Sequence, residues 1–205
     1  MNDLSKSIYL ALLDGINNNG YASFIVSGGS SPIKIFNELS ESNLNWSKVY
    51  ISLVDDRSVS SKHIDSNEKL LKENLLINNA SNANFISLKS NPEKVLEMSR
   101  PFDVMLLGMG EDGHFASLFP SLINTSNYFN LLADPGIIYT EPMGSPCHKR
   151  ISMNLSMIIE SKKVVLLISN EKKLSLLSEA YENNLLPLYY LLAQERVDVE
   201  IVKTF

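Results

Sequence analysis

The chain has 205 residues, 44% of them hydrophobic and 20% charged, and its formal net charge at pH 7 is −5. These values are ordinary for a globular protein and offer no basic stripe that would neutralise the phosphates of a nucleic acid. No apolar run reaches the roughly 18–20 residues of a membrane-spanning helix. The single cysteine, Cys147, excludes an internal disulfide and a thiolate metal site. We therefore expect a cytoplasmic monomer that binds neither nucleic acid nor membrane.

The first half of the chain alternates helical and strand patterns. Between Leu4 and Ile16 an apolar residue recurs at every fourth position, which predicts an amphipathic helix over 3–18 that ends at the Asn17–Gly20 run. Apolar runs further along predict strands, and apolar residues at helical spacing predict helices. The expected elements are a strand at 24–26, a helix opened by Pro32, a strand at 49–54, a helix capped by Ser66, a strand at 84–88 and a helix at 92–98.

The second half begins with the buried-strand run Val104–Leu107, and the region 121–148, rich in proline and glycine, is predicted to be irregular. The remaining expected elements are strands at 150–154, 164–168 and 197–202 and helices at 171–182 and 188–194. Strands alternate with helices, and the central strands are continuous apolar runs. The expected fold is therefore a single-domain, three-layer α/β/α structure over 1–205 with a mostly parallel sheet.

Three predicted strands run into polar turns, and the carboxyl ends of parallel strands share one edge of a sheet. The first turn, Ser27–Ser31, has the composition of an anion-binding loop before a helix N-terminus, and it also fits a tight turn capped by Ser31. The second turn, Asp55-Asp56-Arg57, is either a solvated charge cluster or a binding site. In the binding interpretation, Arg57 grips a phosphate or carboxylate, and Asp55 orients a neighbour or holds sugar hydroxyls.

The third turn, Gly108–His114, contains three glycines, two acids and a histidine. It matches the G-x-G-x-x-G pattern of dinucleotide-binding proteins, but Pro120 leaves too little chain for the helix that this fingerprint opens. A histidine in a glycine turn after a buried strand favours a role in a cleft, because its side chain titrates near neutral pH. With Asp112 it offers at most two metal ligands, fewer than a catalytic zinc site needs.

Other charged and titratable residues allow two interpretations. His63 and His148 lie in polar loops, where we expect them to be solvated. Arg150 and the pair Lys172-Lys173 are either surface charges or the source of positive charge at the edge that the three turns share. Lys173 begins a helix just after the strand at 164–168, which places it at that edge.

Several of these motifs together resemble a known family. SGGSSP, DDR, the pair Ser66-Asn67, LGMGEDGHFASLFP and Arg150-Ile151-Ser152 occur in the order and spacing of the 6-phosphogluconolactonases, over about Ser27 to Lys173. The resemblance implies the fold of the ribose-5-phosphate isomerases and CoA transferases. The related glucosamine-6-phosphate isomerases/deaminases have an Asn-Glu-Pro ending where this chain has Ser117–Pro120, which favours the lactonase branch.

Four positions depart from the usual motifs of that family. Ser31 and Asp56 replace a threonine and a glutamate, and both are mild changes. Phe115 replaces a threonine, so any hydroxyl contact at that position is lost. Asn170 replaces the glycine of a G-x-x-K motif, which keeps Lys173 in register but leaves Lys172 as an alternative.

The resemblance implies hydrolysis of a six-carbon sugar δ-lactone 6-phosphate to 6-phosphogluconate, the second step of the oxidative pentose phosphate pathway. It implies catalytic roles for His114, as the general base on water, and for Asp55, with no metal or organic cofactor. Isomerisation and deamination of an amino-sugar phosphate, or sugar-phosphate binding without catalysis, are the alternatives. The expected substrate- and phosphate-binding residues are Ser27, Gly28, Gly29, Ser30, Ser31, Arg57, Gly110, Asp112, Gly113, Arg150 and Lys173.

Overall fold

The computed structural model describes residues 1–125 and 127–205, and all elements named below lie within these ranges. The helices are α1 (Asp3–Asn19), α2 (Ile33–Ser40), α3 (Asn67–Asn74), α4 (Pro92–Leu96), α5 (Leu155–Ile158), α6 (Glu171–Ala180) and α7 (Pro187–Leu192). The strands are β1 (Ala22–Val26), β2 (Val49–Leu53), β3 (Asp55–Arg57), β4 (Asn84–Phe85), β5 (Val104–Gly108), β6 (Ile137–Met143), β7 (His148–Met153), β8 (Val164–Ile168) and β9 (Val199–Lys203).

The larger sheet is parallel throughout, and its strand order is β4-β2-β1-β5-β8-β9. The central strands β1 and β8 are buried along their whole length, as expected for strands covered by helices on both faces. This confirms the predicted three-layer α/β/α fold. The chain runs outward to one side from β1 and to the other side from β5, so the order reverses between these two strands. Ligands bind at such a switch point, outside the carboxyl ends of the strands.

Local sequence signals account for several helix ends. In α1 the Asn2 side chain accepts a hydrogen bond from the Ser5 N–H, and Gly20 ends the helix in the left-handed conformation with φ 81°. Ser66 caps α3 as predicted, because its hydroxyl accepts from the Lys69 N–H. Most predicted elements are present, and their ends shift by a few residues. No helix among the described residues combines the length and apolar composition needed to cross a membrane.

A second, antiparallel sheet of order β3-β7-β6 was not predicted. The prediction that 121–148 is irregular is wrong at β6, which pairs with β7 through a register shift between Thr140 and Met143. The Asp55–Arg57 segment was predicted to be a turn, but it forms β3 and pairs with β7, with Asp55 opposite Ser152 and Arg57 opposite Arg150. Both strands are short or half-exposed, so pairing with β7, not hydrophobicity, determines their conformation.

Candidate active site

The three polar segments converge on one cavity of about 220 Å³ at the carboxyl edge of the parallel sheet. Most of the residues predicted for the site line it, namely Ser27, Gly28, Gly29, Ser30, Ser31, Asp55, Arg57, Gly110, His114, Arg150 and Lys173. Asp112 and Gly113 belong to the same turn as His114 but do not line the cavity. The cavity opens at the β1/β5 switch point, where the topology of a parallel sheet favours ligand binding.

The Ser27–Ser31 loop forms one wall of the cavity. The Ser27 N–H donates to the Leu106 carbonyl at 2.8 Å, which ties the start of the loop to β5. Gly29 takes φ 84°, a conformation that glycine adopts without strain. The Ser27 hydroxyl is buried and has no hydrogen-bond partner among the described residues. The loop ends where α2 begins, so its backbone and the helix N-terminus both favour an anion.

Gly28 is required by close packing against α3. A Cβ at this position would overlap the Asn67 side chain, which lines the same cavity. Asn67 is the first residue of α3, and its amide donates to the Asp55 backbone carbonyl at 3.1 Å. The alternative interpretation, in which Ser31 caps the following helix, is wrong, because Pro32 holds the cap position without a side-chain hydrogen bond.

The glycine turn after β5 holds the His114 imidazole over Gly110. The Gly110 N–H donates to the His114 carbonyl at 2.8 Å, and Gly113 takes φ 78°. A Cβ at Gly110 would overlap the imidazole, so only glycine leaves room for the ring here. The Phe119 ring packs against the His114 imidazole, and the two ring centroids are 4.4 Å apart.

Asp112 forms hydrogen bonds with His114, although the sequence analysis predicted that Asp112 would contact the substrate. One of its carboxylate oxygens lies 2.5 Å from His114 Nδ1 and 3.3 Å from the His114 backbone N. Burial opposes ionisation of Asp112, but the hydrogen bonds from His114 and the charge of its ring lower the pKa of this carboxyl below its ordinary value. An ionised Asp112 accepts a hydrogen bond from Nδ1–H, which leaves Nε2 as the nitrogen that can take a proton whenever the ring is neutral. Nε2 has no hydrogen-bond partner in the described part of the chain.

Asp55 lies at the buried floor of the cavity, where the Ser117 hydroxyl donates to its carboxylate at 2.6 Å. No hydrogen bond joins Asp55 to His114 within the described ranges, so Asp112, not Asp55, orients that ring. Burial raises the pKa of Asp55 above its ordinary value, against the opposing effects of the Ser117 hydrogen bond and the Arg57 charge. Phe115, the departure expected to remove a hydroxyl contact, is fully buried in the core and does not line the cavity.

Two arginines face each other across the β3–β7 pair and both line the cavity. The Arg150 guanidinium donates from Nη2 to the Pro146 carbonyl at 2.8 Å and to the Met143 carbonyl at 3.2 Å. Burial, reinforced by the positive charge of Arg57, lowers the pKa of Arg150. Arg57 donates from Nη1 to the Asp65 carbonyl at 2.7 Å, and its buried Nε has no partner among the described residues. Like charges opposite each other are unfavourable, and an anion between them relieves the repulsion.

The two candidate lysines are adjacent in the first turn of α6, and their side chains have different surroundings. The Lys173 N–H donates to the side chain of Asn170, which caps the helix, and the Lys173 side chain lines the cavity. Lys172 instead forms an exposed ion pair with Glu111 at 2.6 Å. The structure therefore brings Lys173 to the cavity and leaves Lys172 outside it.

Five lining residues were not predicted as site residues, namely Asn67, Gly108, Met109, Ala116 and Ser145. Asn67 and Ala116 lie inside motifs that the sequence analysis singled out, so their spacing was a usable signal. Ser145 lies in the connection between β6 and β7, and no local pattern marked it. Its position depends on the pairing of two strands that the sequence did not reveal.

The fold and the cavity together define an α/β protein that presents an anion-binding loop, an arginine pair and an aspartate–histidine pair at the switch point of a parallel sheet. The family model described as glucosamine-6-phosphate isomerases/6-phosphogluconolactonase matches residues 1–199 of the chain. The chain belongs to this family.

Relatives within the family cover nearly the whole chain. It is 34% identical over 212 residues to the 6-phosphogluconolactonase of Neisseria meningitidis, covering 97% of this chain and 91% of the relative. It is 37% identical over 193 residues to that of Helicobacter pylori, covering 87% and 82%. The crystal structure of a 6-phosphogluconolactonase from Shewanella baltica matches with a TM-score of 0.87 at 36% identity, covering 98% of this chain and 91% of that one.

Proposed function

We propose that the chain hydrolyses 6-phospho-D-glucono-1,5-lactone to 6-phosphogluconate, the second step of the oxidative pentose phosphate pathway. The curated relatives described above carry the name of this activity and align over nearly the full chain. The observation that carries the proposal is the His114 ring at the cavity, with Nδ1 bound to Asp112 and Nε2 unpartnered among the described residues. A general base with this arrangement, beside an anion site, fits attack of water on a phosphorylated lactone.

In this proposal the 6-phosphate is bound between the Ser27–Ser31 loop and the cationic side chains Arg57 and Lys173. The loop offers backbone N–H groups and the unpartnered Ser27 hydroxyl. The guanidinium of Arg57 supplies paired donors that match phosphate oxygens. Arg150 is held by two carbonyl groups, so it contributes positive charge from a fixed position. Binding at the phosphate positions the lactone carbonyl near His114.

The chemical step uses His114 as the general base. Nε2 takes a proton from water while the water oxygen attacks the lactone carbonyl carbon, and a tetrahedral oxyanion forms. The bond from that carbon to the ring oxygen then breaks, and Nε2 returns the proton to the departing oxygen. The product is an open-chain carboxylic acid, which ionises. A positioned base contributes about 10²–10⁴-fold to such a rate, and backbone N–H groups of the glycine turn or an arginine would stabilise the oxyanion.

Asp112 holds the ring in the tautomer that this step needs. Its ionised carboxylate accepts from Nδ1–H, so the proton-free nitrogen is Nε2. Asp55 is held in place by hydrogen bonds from Ser117 and Asn67. Its carboxylate adds negative charge near the two arginines. We assign Asp55 to holding sugar hydroxyls and balancing the arginine charges, not to orienting His114.

The decisive experiment replaces the base without changing the size of the side chain much. His114→Asn is expected to lower kcat for fresh 6-phosphogluconolactone by about 10²–10⁴-fold, since the base is lost. Calorimetric binding of the product 6-phosphogluconate should remain close to wild type, because the phosphate site is intact. His63→Asn, outside the cavity, is the matched control and should keep full activity. A fully active His114→Asn enzyme would refute the assignment of the base.

The family also contains glucosamine-6-phosphate isomerases, so amino-sugar chemistry is tested in parallel. Ammonia release from glucosamine 6-phosphate, without acceleration of lactone opening, would replace the lactonase proposal. Tight binding of 6-phosphogluconate with no turnover of either substrate would indicate a non-catalytic sensor. We further propose that residues 1–205 act as one domain, as a cytoplasmic monomer, and that the hydrolysis requires neither a metal nor an organic cofactor. Light scattering of the purified chain tests the monomer, and fractionation of cells tests the location.

A further inference from the structure

A second group of polar side chains lies outside the cavity, beside β7. His63, Asp65 and His148 bring one ligand atom each to within 4.8 Å of one another. His148 Nε2 lies 2.9 Å, and His63 Nδ1 3.6 Å, from the same Asp65 carboxylate oxygen. The two imidazole rings are 5.7 Å apart between centroids. The expectation that both histidines are solvated holds for His63, which is exposed, but His148 lies in β7, not in a loop, and is half-buried.

The loop between β3 and α3 is fixed at both ends, which holds the group together. At its start the Ser58 N–H donates to the Lys149 carbonyl at 2.8 Å and ties the loop to β7 beside His148. At its end the buried Asp56 carboxylate accepts from the backbone N–H of Asn67 at 2.7 Å. Its other oxygen binds the Ser66 hydroxyl and the Lys89 ammonium.

The Asp65 residue itself is held by the neighbouring strand. Its carbonyl accepts from Arg57 Nη1 at 2.7 Å, so its backbone position is set by a side chain that lines the cavity. The carboxylate points the other way, toward His148 and His63. The backbone is therefore fixed at two of the three ligand residues, because His148 lies in β7 and the Asp65 carbonyl is bound by Arg57. Such preorganisation lowers the cost of gathering ligands around an ion.

We propose that His63, Asp65 and His148 form a binding site for one divalent ion of the zinc class. Two imidazoles and one carboxylate are the ligand set that zinc, nickel and copper ions prefer, whereas calcium and magnesium ions prefer oxygen alone. Three protein ligands leave a fourth tetrahedral position for water. The site lies outside the catalytic cavity, and the hydrolysis proposed above takes no step through it.

The geometry needs only a small adjustment to admit an ion. Zinc bonds of about 2 Å place tetrahedral ligand atoms roughly 3.3 Å apart. The Asp65 and His148 ligand atoms are closer than this, at 2.9 Å, so binding an ion would move them about 0.4 Å apart. The His63 side chain is 44% exposed, and its Nδ1 would exchange the hydrogen bond that it accepts from the Asp65 N–H at 3.1 Å for the bond to the ion. Because Asp65 also holds Arg57, the ion would lie next to the residue that fixes one wall of the cavity.

Titration of the chelator-treated chain with zinc chloride, followed by calorimetry, tests the site without any activity measurement. We expect one ion per chain, no comparable binding of magnesium chloride, and zinc-dependent shifts of the His63 and His148 imidazole NMR signals. His63→Ala and His148→Ala should each weaken zinc binding by at least about tenfold, and Asp65→Asn should do the same while keeping the shape of the side chain. Circular dichroism checks that each variant is folded.

His114→Asn is the matched control, because it removes the one other histidine of the chain, beside Asp112. This variant should bind zinc as the wild type does. Zinc affinity that is unchanged in both His63→Ala and His148→Ala would overturn the site. Loss of binding only in His114→Asn would also overturn it, by moving the ion to the cavity. Neither outcome depends on whether the chain hydrolyses the lactone.

Discussion

Two regions of the molecule form the walls of the cavity by different means. One is the parallel edge, made of Ser27–Ser31 and Gly108–His114. The other is the antiparallel sheet of β3, β6 and β7. The parallel edge offers backbone N–H groups and one imidazole, which glycines bring close together. The antiparallel sheet offers charged side chains, Arg57, Arg150 and Asp55, which lie close to one another through cross-strand pairing. Glycines, which have no side chain, shape the parallel edge, whereas charged side chains form the wall contributed by the antiparallel sheet.

This difference predicts separate consequences for mutations in the two regions. A change in the glycine turn of the parallel edge, Gly108–His114, alters the position of the proposed base, so it should act mainly on kcat. A change in the antiparallel sheet alters the charge that meets the substrate phosphate or the charge that is buried below it. It should act mainly on KM or on the free energy of unfolding. The following predictions test that separation, beginning with the largest effect.

Gly110→Ala should have the largest effect of the three. The new Cβ would overlap the His114 imidazole and force the ring away from its place beside Asp112. Gly110 does not take the left-handed conformation, so alanine is compatible with the backbone itself. We expect kcat to fall by about 10²–10⁴-fold, the usual contribution of a positioned base, with little change in the binding of 6-phosphogluconate. Steady-state kinetics on fresh lactone and product calorimetry measure the two effects.

Gly136→Ala is the control for this substitution. A Cβ at Gly136 would meet Asn154 Nδ2 at 3.5 Å and the Asp134 carbonyl at 3.6 Å, both ordinary contacts, and Gly136 lies outside the cavity. Its kcat should match that of the wild type. If Gly110→Ala retained full kcat, the glycine turn would not determine the position of His114, and the contrast between the two regions would fail.

The parallel edge could be predicted from sequence because its signals are local. An apolar run such as Val104–Leu107 followed by glycines marks a strand end, and the ends of parallel strands lie on one edge. The sequence alone therefore predicts that Ser27–Ser31 and Gly108–His114 line one cleft. What the sequence could not supply was the partner of each side chain. Asp112 was expected to contact substrate, and only the turn geometry aims it at His114 Nδ1.

The antiparallel sheet was missed because its strands lack local signals. β3 has only three residues, two of them acids, and β6 alternates buried and exposed positions before Pro142 breaks the pattern. The run Ile137–Thr140 is rich in β-branched and aromatic residues and was a usable signal, but the neighbouring prolines and glycines outweighed it. The same long-range pairing that defines these strands brings Ser145 to the cavity and His148 to His63, so neither position could be inferred from sequence.

Arg57→Met tests the charge contributed by the antiparallel sheet. It removes one guanidinium from the proposed phosphate site while keeping a long side chain on β3. We expect kcat/KM to fall by about 10- to 100-fold, mostly through KM, because a hydrogen bond to a charged group contributes about 1.5–3 kcal/mol. Arg57→Lys should recover part of the loss, since it restores the charge but not the paired donors. Initial rates over a range of lactone concentrations separate KM from kcat.

Lys172→Met is the matched control for loss of a positive charge at the same edge. Lys172 pairs with Glu111 on the surface and does not line the cavity, so its removal should leave KM unchanged. An equal rise in KM for both variants would mean that long-range charge, not the position of Arg57, controls binding. A fall in kcat without a change in KM for Arg57→Met would place Arg57 in the chemical step and break the proposed separation.

Asp55→Asn should have the smallest effect on rate and a stabilising effect on the fold. Because burial raises the pKa of Asp55, the stability linked to this carboxyl is fully present below its unfolded pKa, about 3.9, and is lost as the pH rises through the folded pKa. Asparagine keeps an oxygen that accepts from Ser117 and carries no buried charge.

The variant should therefore unfold at a higher temperature than the wild type at neutral pH, by about 2–4 °C for each kcal/mol gained. Thermal unfolding followed from pH 7 to pH 3 should show this difference closing as the wild-type carboxyl becomes protonated. A variant that is less stable than the wild type at pH 7 would mean that Arg57 and Arg150 more than compensate the buried carboxylate. Charged side chains of the antiparallel sheet would then contribute to the stability of the fold as well as to the binding of the substrate.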